Sequence, residues 1–326
     1  MVTNSSQPKY KQIIAEIEQF IRSGELKQGD QLPSLNALKV RYNLSRDTVI
    51  MAFNDLKSRG VIHSVVGKGY YVKSENIELQ YKVFLLFDEL NAFKEDLYNG
   101  LIEGLNDKAQ VDIYFHHFNF EMFKSLIRDN AGNYNYYVIM PANLEDASKV
   151  IAQLPSDQVY ILDQMHEDLQ LYSGIYQNFR KNIIQGLEQL KNDFLKYEEI
   201  HLVYRSEKQP NALKDGFEEF CAQNHRPLKV VHCITDKLKK GVVYVCLEDK
   251  HLIQLIKEMK SQGLELVSDI GILCYNDTPL KEIVEGGITT ISPNFATMGN
   301  RLSAMILNHQ RIKLESPFEV FNRNSL

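Results

Sequence analysis

Carboxylates and amides stand where several apolar runs of this chain stop. Asp88 and Asn91 follow KVFLLF (82–87), Asp163 follows QVYIL (158–162), Glu248 and Asp249 follow VVYVC (242–246), and Asn276 and Asp277 follow IGILC (270–274). Phe93 adds an aromatic ring beside the first pair. Each of these oxygens can accept a hydrogen bond from a hydroxyl, and a ring face can cover apolar C–H bonds. That is the chemistry for holding a small polyhydroxylated molecule. Any one such residue also suits a competing role as a helix cap or a solvated charge, so only convergence in space makes them a site.

A second set lies near the N-terminus. In NLSRDTVIMAFNDLKSRG (43–60), Val49, Phe53 and Leu56 fall on one helical stripe with Ala52 beside it, while Arg46 and Ile50 fall off it. Ser45 is placed to cap the first turn, and Asp47 and Thr48 fill N-terminal positions that short polar residues favour. Upstream, Tyr10, Ile13, Ile14, Ile17 and Ile21 recur at helical spacing and Gly24 closes that helix. Pro33 and Ser34 open a second short helix with Leu35, Leu38 and Tyr42 on its apolar side. The few residues around Asn43 and Leu44 leave the tight turn of a helix-turn-helix, whose second helix enters the DNA major groove by its N-terminal end. VIHSVVGKGYYV (61–72) then reads as a β-hairpin around Gly67-Lys68-Gly69, with Lys68 at the tip where a cation can meet a phosphate or the minor groove.

Charge divides the chain in the same way. Residues 1–74 hold 11 Lys+Arg against 6 Asp+Glu, whereas residues 75–326 hold 26 against 36, so a small basic module precedes a larger acidic one. A basic head suits a polyanion. The polar stretch KSENIELQ (73–80) lacks a hydrophobic face and reads as a linker. Beyond it, the apolar runs already named, together with VDIYF (111–115), YYVIMP (136–141) and EIHLVY (199–204), alternate with helical patterns over 94–107, 178–194, 210–223 and 250–262. Such alternation predicts parallel, doubly wound sheets, and more than six strands predict two lobes. Sheets of this kind bind ligands outside the carboxyl ends of their strands, where the polar residues stand.

Other chemistries find no support. Cys221, Cys233, Cys246 and Cys274 are too widely spaced for a C-x-x-C pair and read as buried thiols of a reducing cytoplasm. His116-His117 lacks a matching cluster of metal ligands, and G-x-S-x-G, H-E-x-x-H and P-loop signatures are missing. No apolar run approaches the roughly 20 residues that span a bilayer. We therefore expect no metal, no cofactor, no membrane partner and no catalysis.

Residues 8–72 resemble the winged-helix domain of the GntR transcription regulators. The pattern appears as Leu32-Pro33-Ser34, Ser45-Arg46-Asp47-Thr48-Val49 and Gly67-Lys68-Gly69-Tyr70-Tyr71-Val72. The resemblance implies that Ser34, Asn36, Ser45, Arg46, Thr48, Ile50, Lys68 and Gly69 face double-stranded operator DNA. Arg46 would pair with a guanine edge or hold a phosphate, Ser45 and Thr48 would anchor phosphates, and Ile50 could touch a thymine methyl. The family often carries arginine where this chain has Asn36 and Ile50, which implies the usual docking on a different operator.

Residues 82–310 are similar to the periplasmic-binding-protein-like effector domain of the lac repressor family. The likeness is carried by LFDELNAFKEDLYNGL (86–101), YILDQM (160–165) and DIGILCYNDTPLKEIVEGGITTISPNFATMGNRLSAMIL (269–307). It implies that Asp88, Asn91, Phe93, Asp163, Asn211, Glu248 and Asn276 bind a sugar or sugar derivative. Asn276 replaces the first aspartate of the family's Asp-Asp pair, Glu248-Asp249 replaces its Asn-Asp, and in PNALKDGF (210–217) Leu213 takes the place of a ligand-clamping arginine. Asn211 or Lys214 would substitute, or the ligand would be non-anionic.

The expected architecture is thus α/β: a winged helix-turn-helix over 1–74, a linker over 75–81, and a two-lobed doubly wound effector-binding and dimerisation domain over 82–326. The expected protein is a cytoplasmic, homodimeric, sugar-controlled transcription repressor. The competing readings are control by a non-sugar metabolite, or an enzyme fused to a DNA-binding head.

Overall fold

A computed structural model describes residues 9–75, 77, 81–234 and 237–326. Two compact units emerge: one runs through Val83 and takes in Asp107–Gln110 and Asn133–Asn135, and the other holds the remainder. Residues 76 and 78–80, most of the expected linker, lie outside the described residues.

The first unit contains α1 (Lys9–Arg22), α2 (Leu35–Tyr42), α3 (Arg46–Ser58) and a hairpin of β1 (Ile62–Val65) and β2 (Gly69–Val72). Local chemistry sets each boundary. Ser34 Oγ accepts the Ala37 N–H at 3.1 Å, Ser45 Oγ accepts the Thr48 N–H at 3.2 Å, and Asn43 closes α2 in the left-handed region at φ 50°. Ile13, Val49, Ala52, Phe53, Leu56 and Val61 are fully buried beneath these helices. Burial of each large apolar side chain among them stabilises by about 1.5–3 kcal/mol. In the hairpin Ile62 pairs with Val72, and Gly67 turns the chain at φ 73°. The Gln31 side-chain amide donates to the Lys68 carbonyl at 2.6 Å, tying the hairpin tip to the segment ahead of α2. Asp55, buried on α3, is paired with Arg59 Nε at 2.8 Å and accepts the Tyr81 hydroxyl.

From β3 (Tyr81–Phe87) onward, strands and helices alternate: α4 (Ala92–Leu105), β4 (Ala109–Phe115), α5 (Phe120–Asn130), β5 (Tyr136–Ile139), α6 (Ala147–Ile151), β6 (Val159–Asp163) and β7 (Ser173–Tyr176). The chain then continues through α7 (Phe179–Gln189), β8 (Glu199–Val203), α8 (Asn211–Gln223), β9 (Leu228–Val231), β10 (Val242–Cys246), α9 (Asp249–Ser261) and β11 (Ile270–Tyr275). It ends with α10 (Pro279–Ile283), β12 (Thr289–Pro293), α11 (Phe295–Leu307), β13 (Lys313–Glu315) and β14 (Phe318–Phe321). Two six-stranded sheets result, ordered β13-β7-β6-β5-β3-β4 and β14-β12-β11-β10-β8-β9, each the centre of one lobe. The chain crosses between the sheets after β7, β12 and β13; β14 pairs antiparallel with β12.

The central strands are apolar on both faces, as covered parallel sheets require. β7, β9, β13 and β14 carry no comparable apolar run, being three- or four-residue strands near or at sheet edges. Cys221, Cys246 and Cys274 are buried as expected, but Cys233 is exposed, because it lies in the loop after the edge strand β9.

α4 and α11 pack backbone to backbone. A Cβ on Gly100 would lie 2.3 Å from the Ala296 carbonyl oxygen, and one on Gly299 2.1 Å from that of Leu97. Gly299→Ala is expected to force the helices apart and destabilise the protein by about 1–3 kcal/mol, read as a lower denaturant midpoint. An unchanged midpoint would mean that the two helices separate freely.

Candidate functional site

The carboxyl ends of β3, β6, β10 and β11 meet at a cleft of about 260 Å³ between the two lobes. Asp88, Asn91, Phe93, Asp163, Glu248 and Asn276 all line it. Asn211 does not: as the first residue of α8 it accepts the Tyr204 hydroxyl at 2.7 Å and lines a neighbouring cavity of about 570 Å³ beside Asn143 and His166. Lys214 pairs with Glu218 at 3.7 Å, and Leu213 is a buried apolar wall of the cleft itself. Neither Asn211 nor Lys214 lines the cleft.

Side chains without a sequence signal complete the cleft. Lys94, buried, places its ammonium on Asp88, whose Oδ1 also accepts the Glu89 N–H at 2.5 Å. Gln177, just past β7, donates to Asp163 Oδ1 at 2.5 Å and accepts the Tyr275 hydroxyl at 2.8 Å, joining the lobes through one amide. Gln209 donates to Glu248 at 2.8 Å. Lys281 holds the Asn276 carbonyl at 2.6 Å and Asp249 at 3.0 Å. At the rim, Lys208 meets Glu89 at 2.8 Å and Asn143 Nδ2 donates to the Ser206 and Gln209 carbonyls, so both lips are tied.

Two of the acceptors are set by the backbone. Asp163 and Asn276 sit in the left-handed region at φ 72° and 63°, which the short polar residues tolerate best. Asn276 Oδ1 is buried and accepts no hydrogen bond among the described residues, an arrangement that costs free energy unless a donor meets it. Asn91 caps α4, and Phe93 rests on Phe295 with ring centroids 4.7 Å apart. Asp277, next to Asn276, is drawn away by a bidentate Arg323 at 2.6 and 2.7 Å.

Burial pushes the Asp163 carboxyl up to about 6, against the pull of the Lys94 ammonium; Asp88 adds to the shift and Gln177 opposes it. Between the ordinary carboxylate range and that value the folded chain binds more protons than the unfolded one, so this group's contribution to stability falls as pH rises through the window. A hydroxyl donated to ionised Asp163 has the opposite dependence, because protonation removes a charge-assisted acceptor. Ligand affinity is expected to fall about tenfold from pH ~7 to pH ~5, and Asp163→Asn to flatten the profile. Calorimetric titration at several pH values reads both, and a wild-type profile that is already flat would show that Asp163 makes no such bond.

In the first unit, Arg46 opens α3 exposed to solvent and makes no ion pair among the described residues. Asn36 and Lys68 are exposed, Ile50 is half-buried one turn beyond Arg46, and Gly69 opens β2 at φ 109° with Gln31 packed against it. Ser34 and Ser45 serve as caps, and Ser45 Oγ lies 2.8 Å from Thr48 Oγ1, so both hydroxyls are engaged within the helix start. His116 is buried with Nε2 3.1 Å from the Met140 carbonyl, and burial lowers its pKa. Among the described residues, no group of three or more His, Cys, Asp or Glu is arranged to hold a metal, and no helix is long and apolar enough to cross a membrane.

A winged helix-turn-helix joined to a two-lobed parallel α/β unit of the periplasmic-binding-protein type defines a DNA-binding transcription regulator. Residues 9–72 match the family model of bacterial regulatory proteins, gntR family. The chain is 24% identical over 335 residues to the arabinose metabolism transcriptional repressor of Geobacillus stearothermophilus, across 92% of this chain and 90% of that protein. It is 33% identical over 100 residues to the transcriptional repressor YtrA of Bacillus subtilis, across 31% of this chain and 73% of YtrA. Among solved structures, a LacI family transcriptional regulator from Enterococcus faecium with bound ribose superposes with a TM-score of 0.61 at 17% identity, across 75% of this chain and 98% of that one. The chain belongs to the gntR family of bacterial regulatory proteins.

Proposed function

We propose that this regulator is a repressor relieved or tuned by a neutral monosaccharide, pentose-sized, bound in the cleft between the lobes. The observation that carries it is the convergence of Asp88, Asp163, Glu248 and the unpartnered Asn276 Oδ1 around a 260 Å³ space beside Phe93. That volume lies below the roughly 300–1,000 Å³ of sites for drug-sized ligands, as suits one sugar ring. The arabinose and ribose in the names of the similar proteins point the same way. Thermal unfolding with L-arabinose, D-ribose and D-xylose tests it, since a ligand of the folded state raises the midpoint. No shift with any pentose at millimolar concentration would sink the proposal.

The division of labour is residues 1–74 on DNA, 75–81 as connection, and 82–326 for effector binding and dimerisation in the cytoplasm. Two heads related by a two-fold axis call for a pseudo-palindromic operator. Ligand occupancy changes DNA affinity only to the extent that the sugar binds the two lobe arrangements differently. Arg46→Ala is expected to weaken operator binding by about 1–3 kcal/mol, as loss of a base-edge contact does. Lys68→Ala should instead flatten the salt dependence, as loss of a phosphate contact does. Operator titrations at several salt concentrations separate the two; wild-type affinity and slope in both variants would remove residues 1–74 from the interface.

A further inference from the structure

Val66 is fully exposed at the tip of the wing, and nothing in the hairpin explains it. Turn positions favour Gly, Asn, Asp, Ser and Pro, and a β-branched apolar side chain in water there breaks the local rule without a compensating contact. The tip is nonetheless held in place: Val65 pairs with Gly69, the Lys68 N–H donates to the Val65 carbonyl at 3.0 Å, and Gln31 clamps the Lys68 carbonyl. A fixed, exposed valine beside an exposed lysine is therefore presented outward. On α3, Ile50 lies one turn after Arg46 on the same face, half-buried, with the partly exposed Met51 beside it. Asn36 stands exposed on α2. Arg41, at the far end of α2, is paired with Glu16 at 2.6 Å, which leaves Arg46 as the unpaired guanidinium at the start of α3.

We propose that Ile50 and Val66 make this protein a reader of A·T pairs flanking a single Arg46 contact. Ile50 packs on a thymine C5-methyl in the major groove, and Val66 packs on a minor-groove floor that lacks the guanine 2-amino group. Donors and acceptors for a guanine edge are missing from both side chains, whereas apolar contact is how proteins recognise the thymine methyl. In the minor groove the 2-amino group is what separates G·C from A·T, and a valine can neither accept its hydrogen bond nor leave room for it. Asn36 suits the same preference, since an amide pairs with adenine where arginine pairs with guanine. This rests on the winged helix being the DNA-contacting unit.

The test starts with the full-length protein and a random duplex library. Binding of the enriched duplex is then compared with versions carrying uracil for thymine, which removes the major-groove methyl, or 2,6-diaminopurine for adenine, which adds a minor-groove amino group. Wild-type protein is expected to lose about fourfold at one uracil position per half-site, the worth of one methyl group, and about fivefold or more at a separate diaminopurine position. Ile50→Ala should abolish the first effect alone and Val66→Ser the second alone. Enriched duplexes with G·C at those positions, or modified duplexes bound as tightly as their parent, would overturn the inference. Failure to enrich any duplex would overturn the winged-helix reading along with it. The comparison of bases in wild-type protein holds even if a variant folds poorly.

Discussion

Protein carrying Asp163→Asn or Asn276→Gly is expected to bind its operator as the wild type does and to lose most of its response to sugar. Both positions are left-handed, at φ 72° and 63°. Asparagine and glycine adopt that conformation with little strain, so the first substitution removes a charge and the second an amide while the backbone stays. A hydrogen bond to a charged group contributes about 1.5–3 kcal/mol, so losing the one to Asp163 should weaken sugar binding about 10- to 150-fold. The amide of Asn276 offers a neutral but buried acceptor with no other partner among the described residues, and its removal should cost somewhat less. Operator titrations with and without the pentose that shifts thermal unfolding measure both. A full response in both variants would place the sugar elsewhere. Lost operator binding without sugar would assign the residues to holding the fold together.

The second large effect concerns Lys94. Its buried ammonium sits on Asp88, with Asp163 close enough for each charge to bear on the other. Lys94→Met leaves the Asp88 carboxylate buried without its counter-ion, which should destabilise the second unit by about 3–5 kcal/mol. The double variant Asp88→Leu/Lys94→Met removes both charges and should recover most of that stability, yet it should not restore sugar binding, because a ligand acceptor has gone. Denaturant midpoints of the two variants decide the matter. A single variant as stable as wild type would mean that water reaches Asp88 and the pair is expendable.

The first unit was the more legible because local residues build it. Ser34 and Ser45 cap, Asn43 turns left-handed and Gly67 turns the hairpin, each through neighbours no more than five residues away. The rim of the cleft was legible for a different reason. A doubly wound sheet places successive strand ends on one edge, so a polar residue after an apolar run is already located by topology. Asp88, Asp163, Glu248 and Asn276 needed only that the strands run parallel within each sheet, so that their carboxyl ends share one edge.

By itself, then, the sequence determined which residues stand at strand ends and which form caps, turns and apolar stripes, since period and turn chemistry act over a few residues. Only the tertiary structure decided how those groups are paired. Asp277 is taken from the cleft by Arg323, 46 residues on, and Asn211 by Tyr204, whereas Asn276 keeps a buried oxygen unengaged. Gln177 bridges Asp163 to Tyr275 from just past a strand too short to announce itself, and Lys94 turns from the buried side of α4 onto Asp88. A hydrogen bond or ion pair needs its two groups within about 3 Å, and for residues far apart in the chain only the packing of the whole lobe sets that distance.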